Sequence, residues 1–100
     1  MVFITQVIYI IDGKEELFDE FESLAIPIIK KYKGRLLLRL RLNENSVLES
    51  IEGAPYEVHL VEFRSENDFQ EFLQDTGRNS FLHLKEQSVR TTLMIKGQKV

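Results

Sequence analysis

His59 is the residue of this sequence best able to move a proton near neutral pH. It lies in the run Tyr56-Glu57-Val58-His59-Leu60-Val61-Glu62-Phe63, and imidazole is the side chain whose ordinary pKa falls in that range. A neighbouring carboxylate that orients the ring would make it a general base. In an extended segment, alternation puts Glu57, Val61 and Phe63 on the face of His59. Glu62 then points the other way with Tyr56, Val58 and Leu60, so it does not pair with His59 within one strand. The competing reading is a hydrogen-bonded structural histidine. Arg35, Arg39 and Arg41 share one face of a neighbouring run if its alternation is unbroken. Alternate strand positions lie about 7 Å apart, so such guanidiniums can grip a carboxylate or phosphate. They serve equally as charges that block an exposed sheet edge, or as cross-strand partners of Glu57 or Glu62. Arg39 and Arg41 are therefore candidate ligand anchors, His59 the candidate catalytic residue, and Tyr9 a candidate hydrogen-bonding hydroxyl.

Asp75, Arg78 and His83 form a second group that neighbouring helices can bring to the rim of a pocket. The simpler reading of Asp75 and Arg78 is a helix-end turn, with an exposed ion pair worth under ~1 kcal/mol. His59 and His83 are the only histidines and stand at no metal-binding spacing, so no metal and no cofactor are expected. Gly53-Ala54-Pro55 is too short for a phosphate loop. The acidic face from Glu15 to Glu22 reads as solvated, and Tyr32 as a packing residue at a helix end.

The elements that must position these residues follow from periodicity. Val2 to Ile11 is β-branched and aromatic, a strand apolar on both faces except at Thr5 and Gln6, and therefore central in its sheet. Asp12 with Glu15 three residues on resembles a capping box. The helix it opens is predicted to run to about Tyr32, with Leu17, Phe18, Phe21, Leu24, Ala25, Ile28 and Ile29 on one stripe and a kink at Pro27. Gly34 suits the left-handed position after the helix. The period then switches to two: Leu36, Leu38, Leu40 and Leu42 share one face of a strand over 35–42. A turn at 43–46, a short extension of the sheet over 47–51, and a loop at 52–55 lead to a strand over 56–64. Ser65 and Asp68 cap a short helix. Asn79 is predicted to cap another through about Val89, and the last strand covers 90–96.

That order is β-α-β twice, with the second crossover helix broken. Right-handed crossovers fold it into one four-stranded antiparallel sheet with helices on a single face, a ferredoxin-like α+β domain spanning residues 1–100. The other face would carry Leu37 and alternate apolar residues of the remaining strands. A bare apolar sheet of that size is unsuited to a monomer. Two such sheets packed face to face, about a two-fold axis, would cover each other. A homodimer through the sheet face is expected.

The segments Lys31-Tyr32-Lys33-Gly34-Arg35, Glu52-Gly53-Ala54-Pro55 and Val61-Glu62-Phe63-Arg64-Ser65, in that order and spacing, resemble those of the dimeric α+β barrel superfamily. The likeness is above all to its uncharacterised branch of small bacterial domains of unknown function, and it covers nearly the whole chain. It implies the barrel-forming dimer. The superfamily also includes cofactor-independent monooxygenases, haem-degrading enzymes, muconolactone isomerases, chlorite dismutase-like proteins and amino-acid-sensing regulatory domains. The haem-degrading pattern of Asn, Trp and His is not met, because the chain has no tryptophan. No catalytic residue carries over.

Composition bounds the rest. One hundred residues, 43% of them hydrophobic and 29% charged, suit one soluble domain. A net charge of -3 gives no reason to expect nucleic acid or an anionic membrane as partner. The absence of cysteine rules out disulfides and a thiolate nucleophile and fits a cytoplasmic setting. The first residues lack the basic-then-apolar pattern of a signal peptide. The expected function is binding of a small acidic molecule between sheet and helices, with Arg39 or Arg41 as anchor and Tyr9 as hydrogen-bonding group. The alternatives are a cofactor-independent enzyme of monooxygenase or isomerase type, in which His59 moves a proton, and a non-enzymatic structural or regulatory dimer. Whether the chain is an enzyme stays open. A cavity of roughly 300 Å³ beside His59 would favour a ligand, and a sheet face filled by Leu, Val and Tyr would favour the structural dimer.

Overall fold

The computed structural model describes all 100 residues, Met1–Val100. Its first strand, β1 (Val2–Ile10), is followed by α1 (Glu15–Ala25), a 3-10 segment (Ile26–Tyr32), β2 (Gly34–Arg41) and β3 (Glu57–Phe63). Three short helices, α2 (Glu66–Leu73), α3 (Thr76–Ser80) and α4 (Leu82–Ser88), then lead into β4 (Val89–Gly97). The four strands make one antiparallel sheet in the order β2-β3-β1-β4. This is the ferredoxin-like arrangement that the periodicity predicts, with doubly apolar β1 in the interior of the sheet.

The local devices differ from the expected ones in instructive ways. Asp12 does not cap α1. The chain turns through Gly13 at φ 86°, Lys14 takes the cap position without a side-chain bond, and Glu15 and Glu16 stand at the positive helix end. Pro27 has no N–H to give an α-helix, and the chain tightens into the 3-10 segment instead of kinking. Lys33, not Gly34, adopts the left-handed conformation at φ 61°. Gly34 is needed for space: a Cβ there would lie 2.6 Å from Ile29 Cγ2 and 2.7 Å from the Phe63 ring. Residues 47–51 form no strand. Leu48 and Ile51 are fully exposed, so no apolar face rewards extending them. Ser65 caps α2 as expected, its Oγ accepting the Asp68 N–H at 3.1 Å. The next cap is Asp75 rather than Asn79, with Oδ1 accepting the Arg78 N–H at 2.7 Å.

The most consequential irregularity is in β2. Leu36 lies opposite Val61, but Leu38 lies opposite Leu60, leaving Leu37 unmatched in a bulge. One extra residue reverses which face each later side chain takes. The expected single face of Arg35, Arg39 and Arg41 is therefore broken. Arg39 and Arg41 turn toward the helices with His59 and Glu57, their register partners. Arg35 stays on the helix-free face, where its Nε donates to Glu62 at 2.7 Å. Leu38 and Leu40 join it there.

The core lies between sheet and helices. Val2, Ile4, Ile29, Val61, Phe63 and Phe69 form its main cluster, and Phe21, Ala25 and Leu84 a second. The helix-free face carries Val7, Val58 and Leu60 at its centre and Leu38, Leu40, Leu93 and Ile95 toward its edges. Those four outer side chains are exposed, Ile95 by 62%.

Candidate functional site

A set of charged groups is folded into this core, and its centre is Glu57, which has no exposed surface. Arg41 stands directly across from it on β2, and Arg39 is one diagonal position along. Arg39 Nε donates to Oε2 at 3.0 Å and Arg41 Nε to Oε1 at 3.0 Å, with Arg41 Nη2 also on Oε1. His59, two residues along the same strand face, brings its Nε2 to 2.5 Å from Oε2. Burial alone would raise the Glu57 carboxyl, but the bonds from His59, Arg39 and Arg41 outweigh it and hold the pKa at about 2. Glu57 is thus ionised, and the imidazole proton is assigned to Nε2, which donates to it.

That assignment leaves His59 Nδ1 as the free nitrogen, and it faces Glu22 of α1 at 3.9 Å. The gap is too long for a direct hydrogen bond and leaves room for a bridging atom. Glu22 is buried. Burial pushes its pKa up, opposed by the His59 and Arg39 side chains and reinforced by the charge of Glu57. Two carboxyls of one cluster are thereby driven apart, one firmly ionised and one biased toward the protonated form, with an imidazole between them. Such a divergence separates acid from base roles.

His59 and Glu22 line a cavity of about 70 Å³ between the sheet and the helices, together with Gln6, Phe18 and Phe21. Arg78 and Lys85 also reach it. This is well below the ~300 Å³ that would favour a ligand, and the helix-free face filled by Leu, Val and Ile matches the structural dimer, so the cavity suits at most a small occupant.

The expected site residues are thus partly brought together. His59, Arg39 and Arg41 meet, but through Glu57. Arg41 is engaged further by Asp19, whose Oδ1 it reaches at 2.8 Å, and by the Tyr56 ring 4.5 Å from its guanidinium carbon. The two arginines hold the carboxylate that holds the histidine. Tyr9 does not join them: alternation sends it to the helix-free face of β1, beneath Arg90, whose guanidinium carbon lies 5.3 Å from its ring centre. The Asp75, Arg78, His83 group does not assemble either. His83 is exposed, while Asp75 accepts from Tyr32 Oη at 2.5 Å and Lys31 Nζ at 3.2 Å.

Glu22, Arg78 and Lys85 are the cavity residues that reading the sequence misses as a group. A signal for Glu22 exists. It stands four residues after Phe18 and three before Ala25, on the apolar stripe rather than on the solvated face. Lys85 likewise stands four residues from Phe81 and from Val89. Glu22, Glu57 and His59 also present ligand atoms within 4.8 Å of one another. Both Glu57 oxygens already face guanidiniums, however, whose charge opposes a cation, so this donor set fits a metal ion poorly.

No protein-family model matches the chain, and no curated protein sequence does. Solved structures share its fold. A protein of unknown function from Rhodopseudomonas palustris superposes with a TM-score of 0.83 at 10% identity, covering 99% of this chain and 82% of that one. A dimeric protein of unknown function and ferredoxin-like fold from Bacteroides fragilis does so with a TM-score of 0.72 at 9% identity, covering 98% and 95%. An uncharacterised NIPSNAP domain protein from Burkholderia xenovorans gives 0.73 at 12% identity, covering 100% and 95%. At these identities the likeness is one of fold. No helix is long and apolar enough to cross a membrane.

Proposed function

We propose that this chain is a homodimeric protein that binds a small molecule between its sheet and helices, against His59 and Glu22. The observation that carries this reading is the pair of His59 Nδ1 and Glu22 Oε2, 3.9 Å apart in the cavity wall. Around them the wall is mostly aromatic and aliphatic, with Gln6, Thr92, Arg78 and Lys85 as further polar groups, and a polar gap in such a place is what a ligand fills. Arg39 and Arg41 act as positioning residues, through Glu57. The dimer is supported by the exposed Leu38, Leu40, Leu93 and Ile95, a patch that water disfavours.

A screen of small fragments against isotope-labelled protein tests the binding reading. At least one compound is expected to shift the backbone amides of Gln6, Glu22 and His59 together. Hits confined to the outer surfaces would overturn it.

The imidazole geometry supports a second, enzymatic reading. A ring fixed by a carboxylate on one nitrogen and open on the other is the arrangement of a general base. His59→Gln keeps a donor for Glu57 but has no basic nitrogen. For any substrate found, this variant is expected to bind normally and turn over roughly 10²–10⁴-fold more slowly. Equal turnover removes His59 from the chemistry and leaves a binding protein.

A further inference from the structure

Two cations line the cavity without an anion to meet them. Arg78, on α3, stacks its guanidinium carbon 5.0 Å from the Phe72 ring centre, and its one side-chain hydrogen bond goes to the Leu73 carbonyl at 3.4 Å. Its main-chain N–H, not its guanidinium, meets Asp75. The Lys85 ammonium, on α4, has no hydrogen-bond or ion-pair partner; the Lys85 carbonyl is engaged, by Ser88 Oγ and the Val89 N–H. Burial lowers the pKa of both side chains; for Lys85 the nearby charge of Arg78 lowers it further, while Glu22 acts in the opposite sense on each. Both cations are half-buried, with the charge of Asp75 also felt by Arg78 and that of Glu86 by Lys85, and Glu22 is the only carboxylate that lines the cavity with them. With His59 neutral and Glu22 ionised, the four groups sum to one positive charge. With Glu22 protonated they sum to two. Arg39 and Arg41 donate to Glu57 and are not among the residues that line the cavity.

We propose that Arg78 and Lys85 are the anion anchor of this cavity, and that its ligand is a carboxylate of two or three carbons. The proposal rests on the reading of the cavity as a ligand site and names the class of ligand it takes. Charge selects an oxyanion, carboxylate or phosphate, and the mostly apolar lining favours one that carries a short carbon chain. Size limits the remainder, since a cavity of about 70 Å³ is far below the ~300 Å³ of a drug-sized site. The short carbon chain meets Phe18, Phe21 and Met94, which line the same space. Its far end lies within the domain of His59 Nδ1 and Glu22, where a hydroxyl or carbonyl oxygen bridges the polar gap.

The test uses the full-length protein, isotope-labelled, at pH 7 and constant ionic strength. It is titrated with acetate, with pyruvate, and with acetamide, which matches acetate in size but is neutral. Acetate and pyruvate are expected to shift the amides of Gln6, Glu22 and His59, and acetamide to bind at least tenfold more weakly. Lys85→Met keeps the aliphatic stem and Arg78→Gln keeps the backbone donor to Asp75. Each is expected to weaken acetate binding tenfold or more and to leave acetamide unchanged. If acetamide binds as well as acetate, or both variants hold acetate like the parent, the anchor is wrong while the cavity remains a ligand site. If none of the three probes reaches the cavity and the fragment screen finds nothing there either, both readings fall. Acetate shifts confined to other surfaces overturn the anchor alone.

Discussion

A carboxylate with no solvent around it survives in a protein only where donors surround it, and Glu57 has three. Removing that charge leaves two guanidiniums and an imidazole without their shared acceptor. Glu57→Gln is therefore expected to lower stability by about 3–5 kcal/mol, read from urea melts at pH 7. A loss within about 0.5 kcal/mol would mean that the network contributes little. The pH dependence has a definite sign. The folded-state pKa of Glu57 is about 2 and its ordinary value 4.5, so as pH falls the unfolded chain takes up the proton first. The stabilisation is complete above about pH 5 and is lost between about 4.5 and 2. Asp75 is also held at about 2, chiefly by the Tyr32 hydroxyl and the Arg78 amide, and loses its contribution between its ordinary 3.8 and about 2. Glu22 acts oppositely, because its raised pKa makes the folded state the first to bind a proton. The acid limb of the melts should hence be shallower in Glu57→Gln than in the parent, yet not flat. An equally steep limb would place the acid sensitivity outside the cluster.

Among the elements, the junction from the 3-10 segment to β2 does two jobs in a few residues. Lys33 turns the chain at a positive φ, and Gly34 lets the new strand pass close to Ile29 and the Phe63 ring. Gly34→Ala has no φ problem but has a contact problem on two sides. It is expected to cost about 1–3 kcal/mol, visible as a fall in Tm of several degrees. An unchanged Tm would show that Ile29 and Phe63 yield freely. The bulge that follows is the element on which the site depends. With unbroken alternation, Arg39 and Arg41 would fall on the helix-free face with Arg35, and buried Glu57 would keep only His59 as a partner. The leucine and arginine pattern of this strand is legible in the sequence. The skipped residue at Leu37 is not, because the run contains no glycine or proline to mark it, and it arises from matching β2 to the register of β3.

For the molecule as a whole, the proposed dimer rests on the helix-free face. Leu38, Leu40, Leu93 and Ile95 are exposed around a half-buried apolar centre, a face that a second copy would cover by self-complementary packing. The expected mass in light scattering is twice the 11.7 kDa of one chain. Leu38→Glu combined with Leu93→Glu places charges on both outer strands of that face and is expected to give a folded monomer. A parent protein that is already monomeric on dilution, or a double variant that stays dimeric, would defeat the sheet-face dimer.

Some of this follows from residue order alone. Periods of 3.6 and 2 establish the element types, β1 reads as interior because it is apolar on both faces, and alternation puts His59 with Glu57 and away from Glu62. These are local properties, carried by spacing within single segments. The burial of Glu22, the division of the arginines between two faces, the exclusion of Tyr9 and the arrival of Arg78 and Lys85 at the cavity were decided by tertiary structure. Each depends on how one segment registers or packs against another distant in the chain. A side chain's spacing says which neighbours it can have along its own element, and only the packing of elements says which of those positions lose their water.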